Sequence, residues 1–250
     1  MADLKLEFRV LRLFACFADA RRPLRLTELG HLLNIPKSSC HTLLRGLVSD
    51  GYLYEISPSI GYYPTARMYE HTNAIAAQDP VLASIRPILE SLRDETGETV
   101  VVGRLSGDQS VFVAVYESPN NIRLSLLAGM RKPLHVNAMG KLFLAGMDPK
   151  DRTRVLGTSR LAKLTNRTIQ SRSKLLAEVE SMRLRGWFSG SGESIEGAMG
   201  MALPMHIYSQ QFALQIGGPE ERMKTHLVRN LEAMRRARAL IEKMGFHMGE

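Results

Sequence analysis

Six residues at helical spacing carry the most suggestive chemistry in this chain. Lys37, Ser38, Ser39, His41, Thr42 and Arg45 are cationic or hydrogen-bonding, with no carboxylate until Asp50. Such a set suits phosphate oxygens and base edges, and an arginine can grip guanine through two hydrogen bonds. A second chemistry lies at Asn137-Ala138-Met139-Gly140. A helix starting there presents free N–H groups and a positive dipole end, which favour a carboxylate; an ordinary helix start accounts for the same residues. Ser189-Gly190-Ser191-Gly192 matches a nucleophile elbow only loosely, because Ser189 stands where the first glycine belongs, and it reads as a flexible loop. No Walker A, HExxH, GxSxG or strand-following GxGxxG occurs. The seven histidines lack ligand spacing, and two cysteines without clustered histidines make no zinc site. No cofactor or metal is expected, and an enzyme that transforms a metabolite is the lesser alternative.

The elements that must position these residues are legible on either side. Pro36 suits a first helical turn. Cys40, Leu43, Leu44, Leu47 and Val48 then fall on one face of a 3.6-residue period, opposite the six polar residues. Gly51 stands where such a helix ends in a left-handed residue. Upstream, Thr27 is a plausible N-cap for a helix carrying Leu29, Leu32 and Leu33, with Asn34-Ile35-Pro36 as the turn. A further helix around residues 8–17 places Val10, Leu11, Phe14 and Phe17 inward. Tyr52 to Glu55, a turn at residues 57–61 and Tyr62 to Pro64 read as a small hairpin, or wing. Helix, tight turn and helix with a polar outer face is the arrangement of a helix-turn-helix DNA reader. A helical hairpin with a merely solvated outer face, or a protein-interaction module on the same fold, shares the pattern.

Residues 66–79 read as a moderately apolar helix, and residues 81–96 as another with Leu82, Ile85, Leu89 and Leu92 on one face. The first is either a linker helix or an ordinary surface helix. Strands are expected at residues 100–105, 110–116 and 122–127, then helices at 140–146, 149–156 and 171–185. Strands near Trp187, at 199–207 and at 212–216 follow, and a final helix over 220–244 places Leu227, Leu231, Met234 and Ile241 inward. This order predicts an α+β chain: a winged helix-turn-helix over 1–66, a linker helix over 67–79, and an antiparallel α/β (GAF-like) effector domain over 80–250.

Composition bounds the function. A chain of 250 residues with 44% hydrophobic content fills one or two cores. No stretch reaches the roughly 20 apolar residues of a membrane span. Met1 to Lys5 lacks the features of a signal peptide, and Cys16 and Cys40 read as reduced core thiols, so a cytoplasmic protein is expected. The net charge of +8 fits an anionic partner. Its distribution is less direct: residues 1–80 hold nine Lys/Arg against eight Asp/Glu, leaving most of the excess beyond them. Local clustering carries the argument, with Arg21, Arg22 and Arg25 before the second helix and Lys37 and Arg45 on the third.

NIPKSSCHTLLRGLVSDGYL, residues 34–53, resembles the reader of the IclR family of bacterial transcription regulators. GMRKPLH at 129–135, Gly140-Lys141 with Leu144-Ala145, GAMGMALP at 197–204 and ALQIGGP at 213–219 are similar, in order, to that family's later motifs. The resemblance implies a homodimer, possibly a dimer of dimers, binding palindromic operator DNA through Lys37, Ser38, Ser39, His41, Thr42 and Arg45. The family often has Arg where Thr42 stands. It further implies a cytoplasmic repressor or activator with a small-molecule effector and no membrane partner.

By the same resemblance the effector lies among Met130, Leu134, Asn137, Ala138, Met139, Gly140, Glu193, Ala198, Met199, Gly200, Gln215 and Gly217. Two positions that usually hold serine are Gln215 and Gly217, and Met130, Met139, Met199 and Met201 crowd the motifs. Loss of hydroxyls and gain of adaptable thioethers point from a very small polar acid to a partly apolar or aromatic carboxylic acid or amide. Asn137 and Gln215 are the expected hydrogen-bonding groups. Glu193 either lines the entrance or faces solvent, and Lys132 either pairs with a carboxylate or, the favoured reading, lies at the surface.

Overall fold

The computed structural model describes residues 6–208 and 210–244; Met1 to Lys5 lie outside them. The chain forms two compact units, Met1–Pro80 and Val81–Glu250.

In the first unit, α1 (Leu6–Ala20), α2 (Leu26–Leu33) and α3 (Lys37–Ser49) are followed by a hairpin of β1 (Leu53–Ser57) and β2 (Gly61–Pro64), then by α4 (Arg67–Ala77). Leu13, Phe17, Leu24, Leu29, Leu33, Cys40, Leu44, Leu53 and Tyr62 form its core. The inward face of α1 is Leu13 and Phe17 with Val10 and Phe14 half-buried, whereas Leu11 is 64% exposed, against the sequence expectation. At about 100° per residue, Leu11 lies off the stripe that positions 10, 13, 14 and 17 share. The α2 cap also differs. Thr27 lies inside the helix; Arg25 is the N-cap, and the Glu28 carboxylate accepts its N–H at 2.9 Å. Asn34 closes α2 in the left-handed region at φ 52°, and Gly51 follows α3 at φ 75°. Leu24 and Tyr62 exchange backbone bonds of 3.1 and 2.9 Å, which ties the hairpin to the α1–α2 connection. Gly61, at φ 109°, lies against the Leu24 carbonyl, where a Cβ would clash.

The second unit opens with α5 (Pro80–Thr96), followed by β3 (Thr99–Ser106), β4 (Gln109–Tyr116) and β5 (Arg131–Pro133). A short 3-10 turn, Leu134–Val136, leads to α6 (Ala138–Gly146), α7 (Pro149–Thr158) and α8 (Arg172–Arg185). Then come β6 (Phe188–Ser191), β7 (Ala198–Ile207), β8 (Gln210–Pro219), α9 (Glu220–Thr225) and α10 (Leu227–Lys243). The sheet order is β5-β4-β3-β8-β7-β6, antiparallel throughout. One face carries Val100, Val102, Met199, Met201, Leu214 and Ile216 into a core with α5 and α10. The other carries Val101, Ala202 and Ala213 into a core with α6 and α8.

Residues 122–127, expected as a strand, belong to no ladder. They run as a connection held by Thr99 Oγ1, which donates to the Leu124 carbonyl at 2.8 Å, with Leu126 buried in the core. The expected single C-terminal helix is two, with His226 between them. At the other edge, β6 pairs only with residues 199–202 of β7. Beyond Ala202, β7 is laddered on the β8 side alone among the described residues, and Pro204 lies in that stretch opposite Ala213.

Candidate functional site

Burial of Cys40 and Leu44 fixes the rotation of α3. It leaves all six expected DNA-contact residues, Lys37, Ser38, Ser39, His41, Thr42 and Arg45, exposed. The Thr42 hydroxyl donates to the Ser38 carbonyl at 3.1 Å, so it is partly engaged within the helix. Tyr54, Ile56 and Ile60 expose apolar surface on the hairpin, a feature the sequence reading did not single out. The arginine cluster before α2 is less free than expected. Arg22 donates to Glu28 at 2.8 Å and Arg25 lies 3.5 Å from the same carboxylate. These contacts hold Glu28 down to about 2, the Arg22 hydrogen bond contributing most.

The second unit contains a cleft of about 470 Å³, its open mouth included, at the start of α6. Of the twelve expected effector residues, Asn137, Ala138, Glu193, Ala198, Met199, Gly200 and Gln215 line it. Met130, Leu134, Met139, Gly140 and Gly217 do not. Leu134 and Met139 are buried core, Met130 packs half-buried beside them, and Gly140 gives Leu134 room to approach the helix. Of the four expected methionines only Met199 is among the lining residues. Met199 and Met201 point to the α5/α10 face, because successive residues of β7 alternate sides. The apolar wall is instead Phe112, Leu124, Leu126, Val136 and Ile195, and the sequence reading missed it. Lys132, expected at the surface, is half-buried and lines the cleft.

The polar groups are closely prescribed. Asn137 caps α6: its Oδ1 accepts the Gly140 N–H at 2.8 Å, and its Nδ2 donates to the Pro133 carbonyl at 3.0 Å and to Ser110 Oγ at 3.2 Å. Its side chain is thus engaged within the fold as well as lining the cleft. Gln215 Oε1 accepts the Met139 N–H at 3.3 Å. Behind the cleft, Lys141 is fully buried, and its Nζ donates to Glu193 Oε1 and, at 2.9 Å, to Glu178 Oε1. Glu193 is 6% exposed, and its Oε2 has no partner among the described residues. Burial raises its pKa while the Lys141 charge and hydrogen bond oppose the rise. Its carbonyl accepts from Thr168 Oγ1 at 2.7 Å, and the neighbouring Gly192 carbonyl accepts from Thr165 Oγ1 at 2.6 Å, which fixes the loop.

Residues 73–241 match the description "Bacterial transcriptional regulator IclR C-terminal", and residues 8–56 match "IclR helix-turn-helix domain". The chain belongs to the IclR family. It is 29% identical over 202 residues to the HTH-type transcriptional regulator BhcR of Paracoccus denitrificans, covering 80% of this chain and 72% of that one. Two solved structures share its fold. A transcriptional regulator from Rhodococcus sp. RHA1 superposes with a TM-score of 0.76 at 23% identity, covering 94% of this chain and 96% of that one. An IclR homolog of Microbacterium hydrocarbonoxydans, solved in complex with 4-hydroxybenzoate, gives 0.73 at 21% identity with the same coverage of each chain. This IclR-family protein is thus a DNA-binding transcription regulator and not an enzyme. No described helix is long and apolar enough to cross a membrane.

Proposed function

We propose that this regulator is a homodimer that binds palindromic operator DNA through the exposed face of α3 and responds to an effector held in the cleft at the start of α6. Lys37 and Arg45 supply the cationic contacts, and Ser38, Ser39, His41 and Thr42 the short hydrogen-bonding ones. The observation that carries the reading is the solvent exposure of all six residues on a helix whose other face is locked by Cys40 and Leu44. The effector is a small carboxylic acid or amide with a partly apolar or aromatic body, and the genes controlled are those of its catabolism. Phe112, Leu124, Leu126 and Ile195 support an apolar body, as does the aromatic acid held by the Microbacterium neighbour. The effector prefers one arrangement of the dimer and so shifts its population, altering the spacing of the two readers. A gel shift against the chain's own upstream region, at stated salt, tests this. Retention is expected with the natural chain, and undiminished retention after combined Lys37→Ala and Arg45→Ala substitution would overturn it.

A further inference from the structure

The start of α6 is poorly arranged for a bare carboxylate. Two of its first three N–H groups are already taken by the chain's own side chains, that of Met139 by Gln215 and that of Gly140 by Asn137. The third, on Ala138, lies beside Gly190. A Cβ placed there would lie 3.0 Å from Ala138 N and 3.1 Å from Glu193 Oε2. A backbone nitrogen and an unpartnered carboxylate oxygen of a residue that is more than nine-tenths buried therefore lie side by side at Gly190. A ligand carboxylate seated on Ala138 would meet the Glu193 carboxylate at short range, where repulsion is little screened. It would also leave Oε2 without a donor, which is unfavourable for a buried acceptor.

The local charges agree. Lys132 and Glu193 line the cleft, with Lys141 and Glu178 behind. Two cations balance two carboxylates, so the site is matched to a ligand without net charge.

Resting on the effector cleft proposed above, we propose that the effector is recognised through a primary carboxamide. Its carbonyl oxygen accepts from the Ala138 N–H, and its N–H donates to Glu193 Oε2. The apolar body lies against Phe112, Leu124 and Leu126. A carboxamide carries acceptor and donor on one carbon, as the adjacency at Gly190 requires.

The test is calorimetric titration of the purified full chain with matched pairs: benzamide against benzoate, and isobutyramide against isobutyrate. The amide of at least one pair is expected to bind about tenfold or more tighter than its acid. Glu193→Gln leaves Lys141 paired with Glu178 and turns an amide donor toward the cleft, so the preference should invert toward the acid. Gly190→Ala puts a methyl against the Ala138 nitrogen and Glu193 Oε2 and should abolish amide binding, while Glu193 Oε1 stays on Lys141. Tighter binding of the acid by the natural chain overturns the carboxamide and leaves the effector cleft standing. Binding of neither member of either pair also overturns it, while the gel shift continues to judge the DNA reading independently. An amide preference unchanged in both variants overturns the role given to Glu193 and Ala138.

Discussion

Replacing Lys141 with methionine probes the second unit most sharply. The change nearly conserves volume but removes the cation shared by two carboxylates. Their fates differ. The Glu178 side chain is 35% exposed and is rehydrated where it stands. Glu193 is 6% exposed, and its second oxygen is already unpartnered, so its charge has nowhere to go. Removing one member of a buried pair destabilises by about 3–5 kcal/mol. For a unit of this size each kcal/mol corresponds to about 2–4 °C, so Tm should fall by about 6–20 °C. The deficit must depend on pH. Burial already raises the Glu193 carboxyl and Lys141 opposes the rise; without Lys141 it climbs further. A carboxyl raised in the folded state contributes stability that is fully present below its unfolded pKa and lost as pH rises through its folded pKa. The variant should therefore approach the natural chain in mildly acid buffer and fall behind it toward neutrality. Adding Glu193→Gln should recover most of the loss. Calorimetric melting across that pH range reads all three, and a deficit that is absent, or equal at both ends, would refute the reasoning.

Other outcomes follow from the reader unit. Gly61→Ala drives a Cβ into the Leu24 carbonyl at a residue with φ 109°, so the unit should lose about 2 kcal/mol or more in urea unfolding, together with DNA retention. Glu28 is held at about 2 against an ordinary 4.5. Its contribution is present above the unfolded value and lost as pH falls toward about 2, so Glu28→Gln should flatten the acid limb of the melting curve, and an unchanged limb would remove the cap from the account. Arg45→Ala should weaken promoter binding and, if Arg45 meets a phosphate, lower the salt slope by about one. A loss confined to particular base pairs would instead mark a base contact.

What was legible in the sequence was local. The α3 stripe and the left-handed Gly51 are set by residues a few positions apart, and the structure reproduces them. What failed depends on distant partners. Residues 122–127 have strand-like composition, but no ladder forms with them. One miss was local: Glu28 reaches back to the Arg25 amide, so Arg25 and not Thr27 caps α2. Lys141 stands in a recognisable motif, yet its carboxylates come from 37 and 52 residues away. The side on which Met199 falls was fixed only by the β7 register against β8.

The brevity of β6 has a consequence for solubility. Past Ala202, one margin of β7 has no ladder partner among the described residues, and an open margin is a template for a strand from another molecule, the usual seed of aggregates. Pro204 lies in that stretch and has no amide hydrogen to lend. A proline in such a stretch is one of the devices that discourage growth from an open sheet margin.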